Sequence, residues 1–186
     1  MSLSKWKLLS KQDISVTPWF PMENRTYELP NGKIIDDFSV TTIANVAMVV
    51  PVSPENKILV VHQFKPGVDE LTLEFPAGRL EGRHKDILEL AHEELLEETG
   101  GVAGEWHELG SVWPMPTKGT EEVYCFLATG VKISSKQHLD ITEEIEVLSF
   151  TPAEIDDLIL TGKLKGASSI CAWTLAKAKF PQIFAL

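Results

Sequence analysis

The run Ala91-His92-Glu93-Glu94-Leu95-Leu96-Glu97-Glu98-Thr99-Gly100 packs four glutamates into the last turns of one helix. The apolar spacing before it predicts a helix from about Asp86 to Thr99, and Gly100-Gly101 marks the stop. A helix C-terminus carries partial negative charge from its unpaired carbonyls, so each exposed carboxylate there costs about 0.3–1 kcal/mol. The cluster is therefore not there for stability. A bound positive charge would account for it.

Azimuth sharpens this reading. At 3.6 residues per turn Ile87, Ala91, Glu94 and Glu98 fall in one column, with Leu88 and Leu95 beside it. The apolar stripe thus turns acidic as it ends, whereas a merely solvated acidic face would lie opposite the stripe. Glu97 sits one row over, and Glu94, Glu97 and Glu98 form an i, i+3, i+4 triangle. Three carboxylates make an all-oxygen donor set, which suits Mg2+ or Mn2+ rather than zinc. Neither cysteine, Cys125 or Cys171, falls in a zinc-ligand spacing.

Leu73-Glu74-Phe75-Pro76-Ala77-Gly78-Arg79-Leu80-Glu81 leads into the helix, and the segment from Gly78 to Gly101 resembles the Nudix box, G-x5-E-x7-R-E-U-x-E-E-x-G-U with U bulky and aliphatic. The match is anchored at Glu94, Glu97, Glu98 and Gly100. It departs in one extra residue after Gly78, in Gly101 for the last aliphatic, in Lys85 for the first glutamate and in Glu93 for the arginine. That glutamate and arginine pair in the family, so Lys85 and Glu93 are expected to pair with their charges exchanged. Glu93 also adds negative charge where the family has positive, which should tighten cation binding or raise a neighbouring carboxylate pKa.

The resemblance runs from Trp6 to about Lys177 and is to the ADP-ribose and ADP-sugar pyrophosphatase branch. Val60-Val61-His62-Gln63-Phe64-Lys65 is similar to that branch's strand ending in Gln, an aromatic and Arg. Val112-Trp113-Pro114-Met115-Pro116-Thr117 is similar to its proline-containing loop, and Gly162-Lys163-Leu164 with Ala167-Ser168-Ser169 to the start of its C-terminal helix. What this implies is a mixed β-sheet sandwiched between α-helices, an α/β Nudix fold, with N-terminal strands. It also implies Glu94, Glu97, Glu98 and the Ala77 carbonyl as metal ligands, and Glu97 doubles as a catalytic candidate.

The branch takes its general base from a loop far from the box. Asp140-Ile141-Thr142-Glu143-Glu144-Ile145-Glu146 lies there, and alignment of the following strand favours Glu143 over Glu144. A solvated acidic turn is the bland alternative. Lys65 would meet phosphate where the branch has arginine, with charge but no bidentate fork, or else is a surface lysine. Trp19, between Pro18 and Phe20, would stack a base across a dimer interface or simply pack in a core. Neither His62 nor His92 has a partner pattern that suggests metal binding.

The chain has 186 residues, enough for one domain with a sizeable core and an appended N-terminal segment. Its 17 basic and 27 acidic side chains give a net charge of −10, and no basic run occurs, which argues against a nucleic-acid backbone as partner. The two cysteines sit in apolar stretches and read as small buried hydrophobes in a reducing compartment. No secretory or membrane-spanning stretch is found, since Pro51 cuts the run Ala47-Met48-Val49-Val50. A cytoplasmic protein is expected.

Residues 1–40 read as short strands with an Asn31-Gly32 hairpin turn and, by resemblance, as the segment that makes a homodimer. Residues 41–186 read as the hydrolase domain. Strands are expected over Thr41 to Pro51, Lys57 to Gln63, Trp106 to Val112, Glu122 to Thr129 and Glu146 to Thr151. Thr151-Pro152-Ala153-Glu154 combines an N-cap, a first-turn proline and a capping-box glutamate ahead of a short helix to Leu160. A last helix is expected from Ser168 to Lys179. The resemblance implies Mg-dependent hydrolysis of a nucleoside diphosphate sugar such as ADP-ribose to a nucleoside monophosphate and a sugar phosphate. Two alternatives stay open: a nucleoside triphosphate or dinucleoside polyphosphate as substrate, or a Nudix domain that senses a nucleotide without turning it over.

Overall fold

Proline and Asn-Gly punctuation breaks the beginning of the chain into three short strands, β1 (Lys7–Asp13), β2 (Met22–Glu28) and β3 (Ile34–Thr41), which form an antiparallel sheet in that order. The computed structural model describes residues 4–82, 84 and 86–185. These divide into one unit of residues 4–44 with 113–121 and a second of residues 45–112 with 122–185. In the first unit Trp6, Tyr27 and Phe38 meet edge to face at centroid distances of 5.8–5.9 Å. Lys118 Nζ stands 3.9 Å over the Phe38 ring.

The strand expected over Thr41 to Pro51 is divided in two. Thr41 donates its N–H to the Lys118 carbonyl at 2.7 Å and accepts from Thr120 N–H at 3.1 Å, which ends β3. A new strand, β4 (Val46–Val52), then begins in the second unit. The rest of that unit adds β5 (Ile58–Lys65), β6 (Glu70–Glu74), β7 (Ala77–Arg79), helix α1 (Ile87–Thr99), β8 (Gly101–Val102), β9 (Glu105–Val112), β10 (Val123–Thr129), β11 (Lys132–Ile133), β12 (Ile145–Phe150), α2 (Pro152–Leu160), α3 (Ala167–Lys179) and the single turn α4 (Pro181–Phe184).

Seven of these strands make one mixed sheet, in the order β12-β5-β4-β10-β9, with β6 on β5 and β7 on β4. Only β4 and β10 run parallel. Both read as nearly continuous apolar runs because both faces are covered. On one face Ala47, Val49, Phe126 and Ala128 pack against Leu90, Ala91 and Leu95 of α1. On the other, Met48, Val50, Cys125 and Leu127 share a core with Ile155 and Leu158 of α2 and Ala172, Trp173 and Ala176 of α3. The period-2 alternation of the strands therefore sorts residues between two helical layers.

The sheet splits between β4 and β5, and that split builds the candidate site. The two strands pair only at Val52 and Ile58. Beyond that they diverge, β5 going on with β6 and β4 with β7. The corner from β6 to β7 is Phe75-Pro76. It is held by Ser169 Oγ of α3, which accepts the Phe75 N–H at 3.2 Å, and by the Pro76 carbonyl, which accepts Val49 N–H at 2.9 Å.

Candidate active site

Helix α1 starts where its cap chemistry requires. The Asp86 side chain accepts the N–H groups of Leu88 and Glu89 at 3.0 and 2.8 Å. It stops at Gly100, whose φ of +70° is the left-handed conformation that glycine tolerates. No basic residue lies in the last turn. Between these ends the stripe Ile87, Leu90, Ala91, Leu95 turns toward the sheet and carries Glu98 inward with it.

Glu98 is only 3% exposed. Its Oε2 accepts the Ala77 N–H at 3.0 Å, across the split in the sheet. Burial pushes its carboxyl from 4.5 up to about 8, and the Glu94 charge pushes the same way. The Ala77 N–H and the Lys65 charge oppose this, and Glu143 adds a smaller upward push. Glu94, Lys65, Ala77 and Glu143 are thereby gathered around one carboxyl. Glu94 packs directly on Gly78, where a Cβ would stand 1.9 Å from its Oε1. Glu97 is half-buried in the same turn.

Lys65 ends β5 with its Nζ 3.4 Å from Glu74 Oε2. Glu143 lies in the loop before β12, and its Oε2 accepts the Asp140 N–H at 3.1 Å. Glu144 is an exposed neighbour. Trp19 belongs to the first unit and is 83% exposed, so it is not part of a core.

Lys85 lies outside the described residues. Glu93 is met by His84, whose Nε2 approaches Glu93 Oε2. His84 Nδ1 accepts the Glu81 N–H at 3.1 Å, so a neutral ring carries its proton on Nε2 and donates it to Glu93. The imidazole side chain is 2% exposed. It ties the loop after β7 to α1 one residue before Glu94. Sequence reading passed over His84 because a lone histidine in a polar loop carries no periodic signal. It passed over Gln137 for the same reason, although Gln137 bonds the backbone at the end of α1.

Among the described residues, no three His, Cys, Asp or Glu side chains form a ready-made cation cage. The donor chemistry nonetheless fits a hard divalent ion. The donors are all oxygen, and the surroundings of Glu98 favour its uncharged form, which a nearby cation would reverse. Cys125 is buried, with its thiol pushed up to about 12, chiefly by burial and further by Cys171; both cysteines are free. No helix among the described residues is long and apolar enough to cross a membrane.

Residues 42–171 match the NUDIX domain family. The chain is 33% identical over 147 residues to the ADP-ribose pyrophosphatase of Bacillus subtilis (strain 168), with 78% of each chain covered. It is 30% identical over 146 residues to the methanol dehydrogenase activator of Bacillus methanolicus, again over 78% of each. Its fold is similar to that of a crystal structure of an ADP compounds hydrolase, with a TM-score of 0.85 at 20% identity, over 98% of this chain and 97% of that one.

Proposed function

This chain belongs to the NUDIX family and is an enzyme of its pyrophosphatase class, and from that premise we propose that it hydrolyses the diphosphate bond of a nucleoside diphosphate sugar such as ADP-ribose. The observation that carries this reading is the buried Glu98 carboxyl, held by the Ala77 N–H and flanked by Glu94, with Lys65 and Glu143 acting on it. The similarity to an ADP-ribose pyrophosphatase supports the choice of substrate.

The reaction adds water across one P–O bond of the bridge and leaves a nucleoside monophosphate and a sugar phosphate. Glu143 is the base that takes a proton from the attacking water. Glu97 would serve both as a ligand of the ion and as a catalytic carboxylate beside Glu143. Lys65 offers a point charge to a phosphate oxygen while Glu74 keeps its ammonium in place. Held by Glu94, Glu97, Glu98 and the Ala77 carbonyl, Mg2+ or Mn2+ would supply neutralisation of diphosphate charge. His84 and Glu93 tie to α1 the loop that follows β7, the strand on which Ala77 and Gly78 approach the helix.

Residues 1–40 are assigned to dimerisation and 41–186 to the hydrolase domain, with Trp19 as a base-stacking residue. Exposed Trp6, Leu8, Leu9 and Ile34 on the first unit's strands and adjoining residues support a homodimer. Two free cysteines favour a reducing, cytoplasmic location.

The decisive experiment incubates the protein with Mg2+ and a panel of ADP-ribose, other nucleoside diphosphate sugars, nucleoside triphosphates and dinucleoside polyphosphates, with products separated by chromatography. AMP and ribose 5-phosphate from ADP-ribose are expected. Thermal protection by ADP-ribose without any product would overturn the reading in favour of a sensor.

A further inference from the structure

A strap of residues 134–138 crosses the C-terminal end of α1. Ser134 and Ser135 donate their N–H groups to the Gly100 carbonyl at 2.8 and 3.3 Å, and His138 donates to the Glu97 carbonyl at 2.9 Å. Gln137 does something different. Its Nε2 donates to the Glu98 carbonyl at 2.6 Å and also to the Ile145 carbonyl at 3.1 Å. A primary amide has two N–H bonds, and both are used here.

The two acceptors belong to different parts of the site. One is the backbone of the deepest carboxylate on α1, and the other is the first residue of β12. Gln137 and Ile145 are eight residues apart, and the chain between them carries Glu143. One side chain therefore laces the neck of the Glu143 loop and fastens that neck to the helix end. The buried Ile145 side chain anchors the far side of the neck, while the loop's own tip is closed by Glu143 N–H to the Asp140 carbonyl at 3.0 Å. A compact loop tied at its ends moves as a unit, so the tie sets where the loop sits.

The neutral amide also suits its surroundings. It brings one donor to a carbonyl of a helix end that has no basic side chain in its last turn and the other to the start of β12, and adds no charge beside the carboxylates. We propose that Gln137 is a positioning residue for the reaction: its two hydrogen bonds fix the Glu143 loop against the acidic end of α1. This rests on the assignment of Glu143 as the base.

The test uses the full chain with Gln137→Met, which keeps length and removes both donors, and Gln137→Asn, which is too short to span both carbonyls. With ADP-ribose and Mg2+, kcat is expected to fall between about tenfold and a hundredfold. KM and the Mg2+ concentration for half-activity should stay within about twofold. In a Glu143→Gln background, adding Gln137→Met should slow the residual reaction by less than about twofold, because the loop it positions no longer carries a base. Unchanged kcat in both variants overturns the proposal. So does an equal slowing in both backgrounds, or a shift in Mg2+ dependence in place of kcat.

Amide hydrogen exchange provides a readout that needs no turnover. Residues 139–145 should exchange faster in Gln137→Met while α1 stays protected. If exchange there is unchanged, the strap does not hold the loop. A wild-type protein that hydrolyses none of the substrates counts against the assigned reaction, and the exchange result then decides the strap separately.

Discussion

At the scale of single residues, Glu98 couples function to stability with a defined sign. Its carboxyl is raised from 4.5 to about 8 in the folded protein, so between those pH values the folded chain holds a proton that the unfolded chain has released. Without divalent cation, stability should be greatest below about pH 4.5 with respect to this group and fall as pH rises to about 8, by at most on the order of 5 kcal/mol. Glu98→Gln keeps an oxygen for the Ala77 N–H and removes the titration. Chelated variant protein should therefore melt higher than wild type at pH 8 and lose turnover by at least about a hundredfold. A variant that melts below wild type at pH 8 or keeps its activity would contradict the assignment. Gly78 makes a second, separable prediction. A Cβ there would overlap the Glu94 carboxyl, which is the end of a flexible side chain and can swing away. Gly78→Ala should fold with little change in melting temperature yet lose about a hundredfold in kcat/KM as Glu94 leaves its place.

At the scale of elements, α1 depends on its two ends more than on its exposed face. Asp86→Ala removes an N-cap accepting from two N–H groups and should cost about 1 kcal/mol in urea melts, with Mg2+ dependence unchanged. Gly100→Ala should cost more. It forces a side chain into φ +70° and brings a Cβ within 2.2 Å of the Ser135 carbonyl oxygen, a backbone atom that cannot move without the strap. A loss at Gly100 smaller than at Asp86 would show that the strap is not packed as described. Elements with a local signature are where expected. Thr151 and Glu154 form both halves of the capping box, and α3 begins one residue before the expected Ser168. The strand expected from Thr41 begins instead at Val46, because bonds between Thr41 and Lys118 and Thr120 end β3 there and no local composition marks that pairing.

At the scale of the whole molecule, the first unit carries apolar area that its own small sheet cannot cover. Val16 is 98% exposed, and Trp6, Leu8, Leu9 and Phe20 are each near half. Patches of this kind mark association surfaces. Sedimentation equilibrium should give twice the chain mass at micromolar concentration. Leu8→Asp with Leu9→Asp should shift the species toward one chain. A wild-type monomer would remove the dimer from the account.

The sequence by itself determined the helix, its caps and the inward azimuth of Glu98, because a period of 3.6 and the capping residues act within a few positions of one another. It also determined strands over most of β4 and β10, since their Val-rich and aromatic runs suit a pleated surface, while their burial on both faces came with the packing of the helices. Only the tertiary structure decided that the sheet opens between β4 and β5 so that Ala77 meets Glu98, that His84 reaches Glu93, and that Gln137 closes the Glu143 loop. Two of these bonds join residues 21 and 39 positions apart, and the two closer pairings depend on loop geometry. Such contacts leave no periodic trace in the chain, so which partners meet is fixed only when the layers pack.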